Sequence, residues 1–504
     1  MNPIPEYLRK IEKALAAGNA TEHTYRPALQ ALIESMEPDI GATNEPKREK
    51  CGAPDYIVSK AGMPIGYIEA KDVGKPLDVI EREEQMKRYR QGLHNLILTD
   101  YLEFRWYVWG EHRLTARLAR IAEKGRITPD KQGAEEVAAL LHEFLHSRVA
   151  VISNPRELAV RMAALARLLR STILEIFTGE DSGGTLHSQM EGFRRVLLHD
   201  LTEEQFADMY AQTIAYGLFA ARCNTKTEGH FIREQAAYDL PKTNPFLRRM
   251  FGHIAGPDLD ERLVWIVNDL TSILERADMS AILKDFGRST RREDPVVHFY
   301  ETFLAAYDPK MREARGVYYT PEPVVSYIVR SVDHILKNDF GLKDGLADAA
   351  KIKVKDAGGE TEREIHRVLI LDPATGTGTF LHQVIHQIHD TLCAQGQQGA
   401  WSGKNGYVSR HLLPRLFGFE LLMAPYAVAH MKLGLLLDQT GYDFGSDERL
   451  RIYLTNTLEE AFKMGTCPFS NAGLPRKSLR REKSKRTFPS WSSWAIRLTP
   501  TSDA

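Results

Sequence analysis

The segment ILDPATGTGTFL, residues 370–381, constrains the fold of this chain more than any other. Its pattern predicts a buried strand that ends at Asp372, a turn made by Gly376 and Gly378, and a helix that begins near Phe380. This order places a ligand at the carboxyl edge of a parallel sheet, where the helix N-terminus favours an anionic group. After about residue 310 strand and helix patterns alternate, which predicts a parallel, doubly wound sheet.

The residues that this turn lacks narrow the choice of ligand. A phosphate-binding P-loop needs Gly-Lys-Ser/Thr, which occurs nowhere in the sequence, and a dinucleotide fingerprint has a third glycine where Leu381 stands. ATP and NAD are therefore disfavoured. A nucleoside ligand also needs an acid at the tip of the next strand to accept its ribose hydroxyls, and LFGFEL supplies Glu420. The alternative for Glu420 is an exposed acid at a strand end.

The turn resembles the D-P-A-T/C-G-T/S-G motif of S-adenosylmethionine-dependent DNA methyltransferases. Upstream, RGVYYTPEPVVSYIV resembles the element that packs over the cofactor in that family. Beyond Glu420's strand, the resemblance implies that Asn456 lies near the adenine of the cofactor, with a strand-end cap as the alternative. The resemblance implies these cofactor-binding residues: Tyr319, Thr320, Pro321, Asp372, Ala374, Gly376, Gly378, Glu420 and Asn456.

A second motif lies in PDYIVSKAGMPIGYIEAKD, where two short apolar runs flank a turn and predict a hairpin. Asp55 opens the first strand, and alternation points Glu69 and Lys71 of the second strand to one face. Carboxylate oxygens are ligands for Mg²⁺, and a lysine beside a metal-bound water can orient or deprotonate it. The hairpin therefore predicts metal-dependent phosphodiester hydrolysis.

This hairpin resembles the PD-(D/E)xK nucleases. The resemblance implies that Asp55 and Glu69 hold Mg²⁺ beside Lys71. Gln85 and Tyr89 on the next predicted helix have the Q-x-x-x-Y spacing that some of these nucleases use. Glu22, predicted on the first helix, matches in type an extra acid that often joins the metal. For the short E-x-K motif alone, a surface salt bridge is the alternative.

Composition limits the other possibilities. The 504 residues carry 66 basic and 67 acidic side chains, so any site for a polyanion must be local. Four distant cysteines, without a CxxC pair or a histidine cluster at ligand spacing, argue against disulfides and structural zinc. The sequence contains no signal peptide and no run of about eighteen apolar residues, so a cytoplasmic protein without a membrane span is expected.

These patterns predict a multidomain α/β chain. Residues 1–150 form a PD-(D/E)xK nuclease α/β domain, 151–310 a helical connector, and 311–461 an incomplete, Rossmann-like methyltransferase domain. Residues 462–504 are rich in Ser, Lys and Arg, and we expect a basic tail that is disordered or non-native.

The two halves together resemble type IIG restriction-modification enzymes and the related type I single-polypeptide enzymes. The resemblance implies adenine-N6 methylation and endonuclease action on double-stranded DNA, without the ATPase of the second group. The Asn/Asp-Pro-Pro-Tyr/Phe motif of this family is absent, as is a target-recognition domain. We therefore expect a truncated member that has lost methyl transfer, with recognition left to a separate specificity subunit. The alternatives are a protein that binds cofactor and DNA without chemistry, and a nuclease-only fragment.

Overall fold

The computed structural model describes most of the chain, and it divides into two compact units. The first consists of residues 1–151, 164–181 and 261–269, and the second of 152–163, 182–260 and 270–504. The described residues are 3–17, 22–44, 53–60, 63–122, 126–147, 151–179, 184–196, 201–225, 231–240, 251–252, 255–256, 259–283, 295–308, 320–355, 362–403, 405–442, 449–457 and 495–498.

One mixed sheet forms the centre of the first unit. Its described strands lie in the order β1 to β6, with β3 parallel to β4 and the other neighbours antiparallel. The predicted hairpin is confirmed, because β2 and β3 pair antiparallel. The strands are β1 (Ile40–Asn44), β2 (Tyr56–Lys60), β3 (Met63–Ala70), β4 (Asn95–Thr99), β5 (Glu103–Val108) and β6 (Glu111–Arg117).

Helices cover this sheet with their apolar faces. In α1 (Ile4–Ala16) the buried residues Ile4, Tyr7 and Ile11 recur every three or four positions, as an amphipathic helix requires. They join a core that also includes residues of α2 (Glu22–Met36), the strands and α5 (Gly133–Leu145). The remaining short elements are α3 (Leu77–Ile80), α4 (Glu84–Gly92) and the hairpin of β7 (Ala119–Ile121) and β8 (Ile127–Pro129).

Every regular element described between residues 155 and 307 is a helix, and an isolated β-bridge joins Ile152 to Ala277. The predicted helical connector divides between the two units, so its boundaries do not coincide with theirs. These helices are α6 (Pro155–Gly179), α7 (Thr185–Val196), α8 (Glu203–Asn224), α9 (Arg233–Asp239), α10 (Val264–Glu275), α11 (Met279–Leu283) and α12 (Pro295–Tyr307). Among the described residues, no helix has both the length and the apolar character needed to cross a membrane.

A second sheet carries the glycine turn. The described strands have the order β13-β12-β11-β14, in which β11, β12 and β13 are parallel, as the sequence predicts. Every residue of β11 and β12 is buried, which is typical of parallel strands covered on both faces. The strands are β11 (Val368–Asp372), β12 (Leu416–Glu420), β13 (Arg451–Leu454) and β14 (Ala495–Leu498), and a separate hairpin pairs β9 (Lys351–Lys355) with β10 (Glu362–His366).

Three long helices accompany the second sheet. The helix α14 (Thr379–Ala394) connects β11 to β12, and α15 (Met423–Gln439) lies between β12 and β13. The helix α13 (Glu322–Asn338) packs on α14, where Gln387 Nε2 donates to Asp333 Oδ2 over 3.3 Å. The alternation of strand and helix is the βαβ pattern predicted from the sequence.

Four residues within the segment 462–504, for which a disordered or non-native tail is expected, form a strand. Ala495–Leu498 form β14, which pairs antiparallel with Val368–Leu371 of β11. Backbone hydrogen bonds from β11 therefore order a segment whose side chains have neither strand nor helix periodicity. The rest of 462–504 lies outside the described residues.

Candidate functional sites

The turn after β11 needs its two glycines for different reasons. Gly376 has a φ of 55° and Gly378 a φ of 80°, in the left-handed region where glycine carries no steric cost. Gly378 is the N-cap of α14, and a Cβ there would lie 3.2 Å from the Cβ of Ala429 on α15. A Cβ on Gly376 would meet nothing within 4 Å. Gly378 thus permits close helix packing, while Gly376 faces open space.

Glu420 connects the tip of β12 to this turn. Its Oε2 accepts a hydrogen bond from the Gly376 amide over 2.7 Å, and its Oε1 accepts from the amides of Leu421 and Leu422 over 2.9 and 2.8 Å. The carboxyl is buried, and burial raises its pKa while the three amides lower it. Glu420 is therefore not an exposed acid at a strand end.

Asp372 organises the turn from its first residue. Its Oδ1 accepts from the Ala374 amide over 3.2 Å, and its backbone carbonyl accepts from Thr375 Oγ1 over 3.1 Å. Burial raises the pKa of Asp372 to about 7, opposed by the Ala374 amide and assisted by the charge of Glu420.

The raised pKa predicts a pH dependence of stability. Between the unfolded pKa of about 4 and the folded pKa, the folded state binds more protons, so the free energy of unfolding falls as pH rises through this window. We expect Asp372→Asn to lessen the loss of stability between pH 5 and pH 8, measured by urea unfolding. Replacing the exposed Asp339 by asparagine is the control. An equal pH dependence in wild type and Asp372→Asn would contradict this assignment.

Other predicted cofactor residues lie at two further places. Thr457 Oγ1 donates to the Pro373 carbonyl over 2.7 Å, and the Thr455 amide donates to the Glu420 carbonyl over 2.7 Å, so the segment containing Asn456 returns to the glycine turn. Thr320 and Pro321 directly precede α13. Tyr319 lies outside the described residues. The roles proposed for these residues stay predictions.

Lys432 on α15 is a residue that the sequence analysis missed. It is 4% exposed, and its Nζ donates to Thr379 Oγ1 over 3.3 Å at the first residue of α14. A buried ammonium at this helix N-terminus adds to the positive potential beside the turn. The available signal was a single charge within the apolar run PYAVAHMKLGLLL.

In the first unit the hairpin brings the predicted nuclease residues together. Asp55 lies one residue before β2, and its Oδ2 accepts from the Ala70 amide over 2.8 Å. Extending the β2–β3 register by one residue places Asp55 opposite Glu69. Lys71 Nζ donates to Glu69 Oε1 over 2.6 Å, and these side chains are 17% and 5% exposed. The acid and the ammonium form a mostly buried pair, not a surface salt bridge.

Gln85 and Tyr89 on α4 join this site. Gln85 Nε2 donates to the Tyr89 hydroxyl over 3.0 Å, and both residues line one recess together with Glu69 and Lys71. Burial raises the pKa of Tyr89, and the charges of Glu69 and Asp55 raise it further. Glu22 begins α2, the second helix instead of the predicted first, and its side chain lies outside the described part of the structure.

Arg26 was also missed, although it contacts a predicted site residue directly. Its Nη2 donates to Asp55 Oδ1 over 2.5 Å, and the two side chains are 3% and 8% exposed. Its Nη1 donates to Asn44 Oδ1 over 3.3 Å, and its carbonyl accepts from the Tyr56 hydroxyl over 2.9 Å. Arg26 therefore fixes Asp55 against α2.

Comparison with family models matches residues 291–469 to the family described as N-6 DNA Methylase. These residues include β11, β12, β13 and the glycine turn, so this part of the chain is similar to N6 DNA methyltransferase domains. Residues 1–290 lie outside the match. No curated protein matches the chain.

Solved structures give low similarity. A DrdV–DNA complex from cryoEM has 20% identity and a TM-score of 0.39, covering 96% of this chain and 42% of that one. The ATP-dependent Type ISP restriction-modification enzyme LlaBIII bound to DNA has 18% identity and a TM-score of 0.44, with coverage of 70% and 21%. The type IIG restriction endonuclease BpuSI has 11% identity and a TM-score of 0.26, with coverage of 86% and 42%. This chain spans less than half the length of each.

Proposed function

We propose that the second unit binds S-adenosylmethionine at the turn between β11 and α14, as part of a DNA adenine-N6 methyltransferase of a restriction-modification protein. One observation carries the proposal: the segment matched to N-6 DNA methylases contains a glycine turn whose Gly376 amide is bonded to the acid at the tip of the next strand. This is where open α/β sheets bind nucleoside ligands.

The residues at the turn fit such a cofactor. The open space beside Gly376 admits a ligand close to the backbone, and the Lys432 ammonium near the α14 N-terminus suits the carboxylate of its methionine part. Gly376, Gly378 and Glu420 would hold the cofactor, and Asp372 would fix the turn. When bound, the cofactor supplies an electrophilic methyl group.

Gly376→Ala is expected to weaken binding of S-adenosylmethionine by about tenfold or more, because the added Cβ enters the space proposed for the ligand and adds left-handed strain. Titration calorimetry measures the dissociation constant. Gly396→Ala is a matched control, since Gly396 has a φ of 71° and equally open surroundings but lies at the other end of α14. If both variants weaken binding of S-adenosylmethionine equally, the cofactor site is rejected, because backbone strain alone would then account for the loss.

Methyl transfer is a separate question. Adenine-N6 transfer needs a side chain and carbonyl that accept from the target amine, and an aromatic ring that stacks on the flipped base. In the adenine-N6 DNA methyltransferases that this chain resembles, an Asn/Asp-Pro-Pro-Tyr/Phe motif supplies these groups. The motif does not occur in this sequence. We expect the purified chain to bind cofactor without methylating DNA. Incorporation of labelled methyl into adenine would contradict this expectation.

A second function that we propose is metal-dependent cleavage of double-stranded DNA by the first unit. The juxtaposition of Asp55, Glu69 and Lys71 supports it. The carboxylate oxygens of Asp55 and Glu69 fit Mg²⁺, because carboxylates are its usual protein ligands. A cation bound there would share Asp55 with the Arg26 guanidinium. Bound Mg²⁺ would polarise the scissile phosphate.

The protein's own groups have distinct tasks in this proposal. Asp55 and Glu69 would hold the cation, and Lys71 would orient water and stabilise charge on the phosphate. Gln85 and Tyr89 would position groups along the recess. A protein that binds cofactor and DNA without cleaving is the competing function, and dependence of cleavage on Lys71 separates the two. Recognition of a base sequence is assigned to a separate subunit or domain.

A further inference from the structure

Three potential metal ligands meet on the surface of the first unit, in a cluster formed by Glu37, His142 and His146. Glu37 follows the last residue of α2, and the two histidines lie four positions apart near the C-terminus of α5. Residues at i and i+4 share one face of a helix. The sequence analysis found no histidine cluster at ligand spacing, and this pair corrects that statement.

The ligand atoms are already close to one another. One ligand atom from each residue lies within 4.8 Å of the others. His146 Nε2 is 2.8 Å from Glu37 Oε1, and the two imidazole rings stack with their centroids 4.0 Å apart. The histidines are exposed and Glu37 is half-buried, so an ion from solvent can reach all three.

Hydrogen bonds around the cluster prepare His146 for metal binding. His146 Nδ1 is 2.9 Å from the His142 carbonyl. A carbonyl can only accept, so Nδ1 carries a hydrogen and Nε2 presents either a lone pair or a second proton to Glu37. A neutral imidazole and a carboxylate at 2.8 Å would oppose two lone pairs, and a shared cation removes that repulsion. Metal-bound histidines commonly donate their other N–H to a backbone carbonyl in this way.

We propose that Glu37, His142 and His146 bind Zn²⁺ at a site separate from Asp55 and Glu69. Two imidazoles and one carboxylate suit Zn²⁺, whereas Mg²⁺ prefers oxygen ligands alone. A tetrahedral ion would have its fourth position open to water. Lys60 Nζ donates to Glu37 Oε2 over 2.8 Å, so Glu37 would hold the ion through Oε1. The ion would fasten α5 to the segment that follows α2.

Zinc titration of the full chain, stripped of metal with EDTA, tests this site. Calorimetry with zinc chloride should find one equivalent in the wild type that His142→Gln and His146→Gln bind at least about tenfold more weakly. His112→Gln is the matched control, since this histidine is exposed in the same unit and contacts Thr115 Oγ1 instead of the cluster. Equal zinc affinity and stoichiometry in wild type and His142→Gln would overturn the proposal.

Thermal unfolding provides a second measurement that also reports whether the variants fold. A ligand that binds only the folded state raises the melting temperature. Zinc should raise it in the wild type and in His112→Gln, and should raise it less in His142→Gln, with no such difference when Mg²⁺ replaces zinc. A zinc-induced rise in His142→Gln as large as in the wild type would reject the site. A folded His142→Gln that lacks the rise supports it.

Discussion

Replacing Lys71 by alanine is expected to lower Mg²⁺-dependent nicking of supercoiled DNA by about 10²–10⁴-fold, the usual contribution of a positioned acid–base group. Lys71 Nζ donates a hydrogen bond to Glu69, and Lys71 lines the same recess as Gln85 and Tyr89. Its ammonium therefore lies where a phosphate would meet the carboxylates. The variant keeps both acids but loses the cation that is proposed to orient water. The rate of plasmid nicking, with and without EDTA, is the measurement.

Lys75→Ala is the control for this substitution. Lys75 is exposed, lies four residues further along the chain and pairs with Asp72 over 3.4 Å, so its loss should leave nicking unchanged. Cofactor binding should be unaffected in both variants. If Lys71→Ala nicks DNA at the same rate as the wild type, the nuclease proposal is wrong. If the wild type itself does not nick DNA, the protein that binds cofactor and DNA without cleaving is favoured.

Replacing Arg26 by methionine is expected to destabilise the first unit by about 3–5 kcal/mol, the usual cost of removing one partner from a buried ion pair. Asp55 is buried beside this guanidinium, so the variant would retain a carboxylate without its closest cation. Methionine keeps most of the side-chain volume and limits the packing loss. Urea unfolding measures the change, and hydrogen exchange of β2 and β3 assigns it to this unit.

Arg9→Met on α1 serves as the control, since Arg9 is exposed and donates within its own helix, to the Pro5 carbonyl over 3.3 Å. Its effect should stay within about 0.5 kcal/mol, as for other surface substitutions. A change below about 1 kcal/mol in Arg26→Met would mean that water or other groups compensate the Asp55 charge. The pair would then have no structural role.

The glycine turn and the hairpin were predictable because local patterns encode them. The turn at Gly376 and Gly378 and the β2–β3 pairing follow from spacing within short segments, and the parallel pairing of β11 with β12 follows from the alternation of strand and helix patterns. Glu420 was found because the tip of the next strand is fixed by topology. The hydrogen bond that it accepts from the Gly376 amide is compatible with this topology but is a contact between separate segments.

Contacts between distant segments could not be predicted in this way. Arg26 meets Asp55 across 29 positions, and Glu37 meets His146 across more than a hundred, so no periodicity joins them. A basic residue on a helix is most often solvated, which hides a buried arginine among many exposed ones. The four strand residues within the predicted tail were not anticipated for a related reason, because β14 is defined by its partner strand and not by its own composition.

The three amides around Glu420 limit what this acid can still accept. An ionised carboxylate offers about four lone-pair sites, and Gly376, Leu421 and Leu422 use three of them. One site remains for a hydroxyl donor. A ribose carries two neighbouring hydroxyls, so a nucleoside at this turn must either displace an amide or place its second hydroxyl on another acceptor. In the proposed cofactor site, selectivity for ribose over deoxyribose would therefore depend on which of these two arrangements the turn allows.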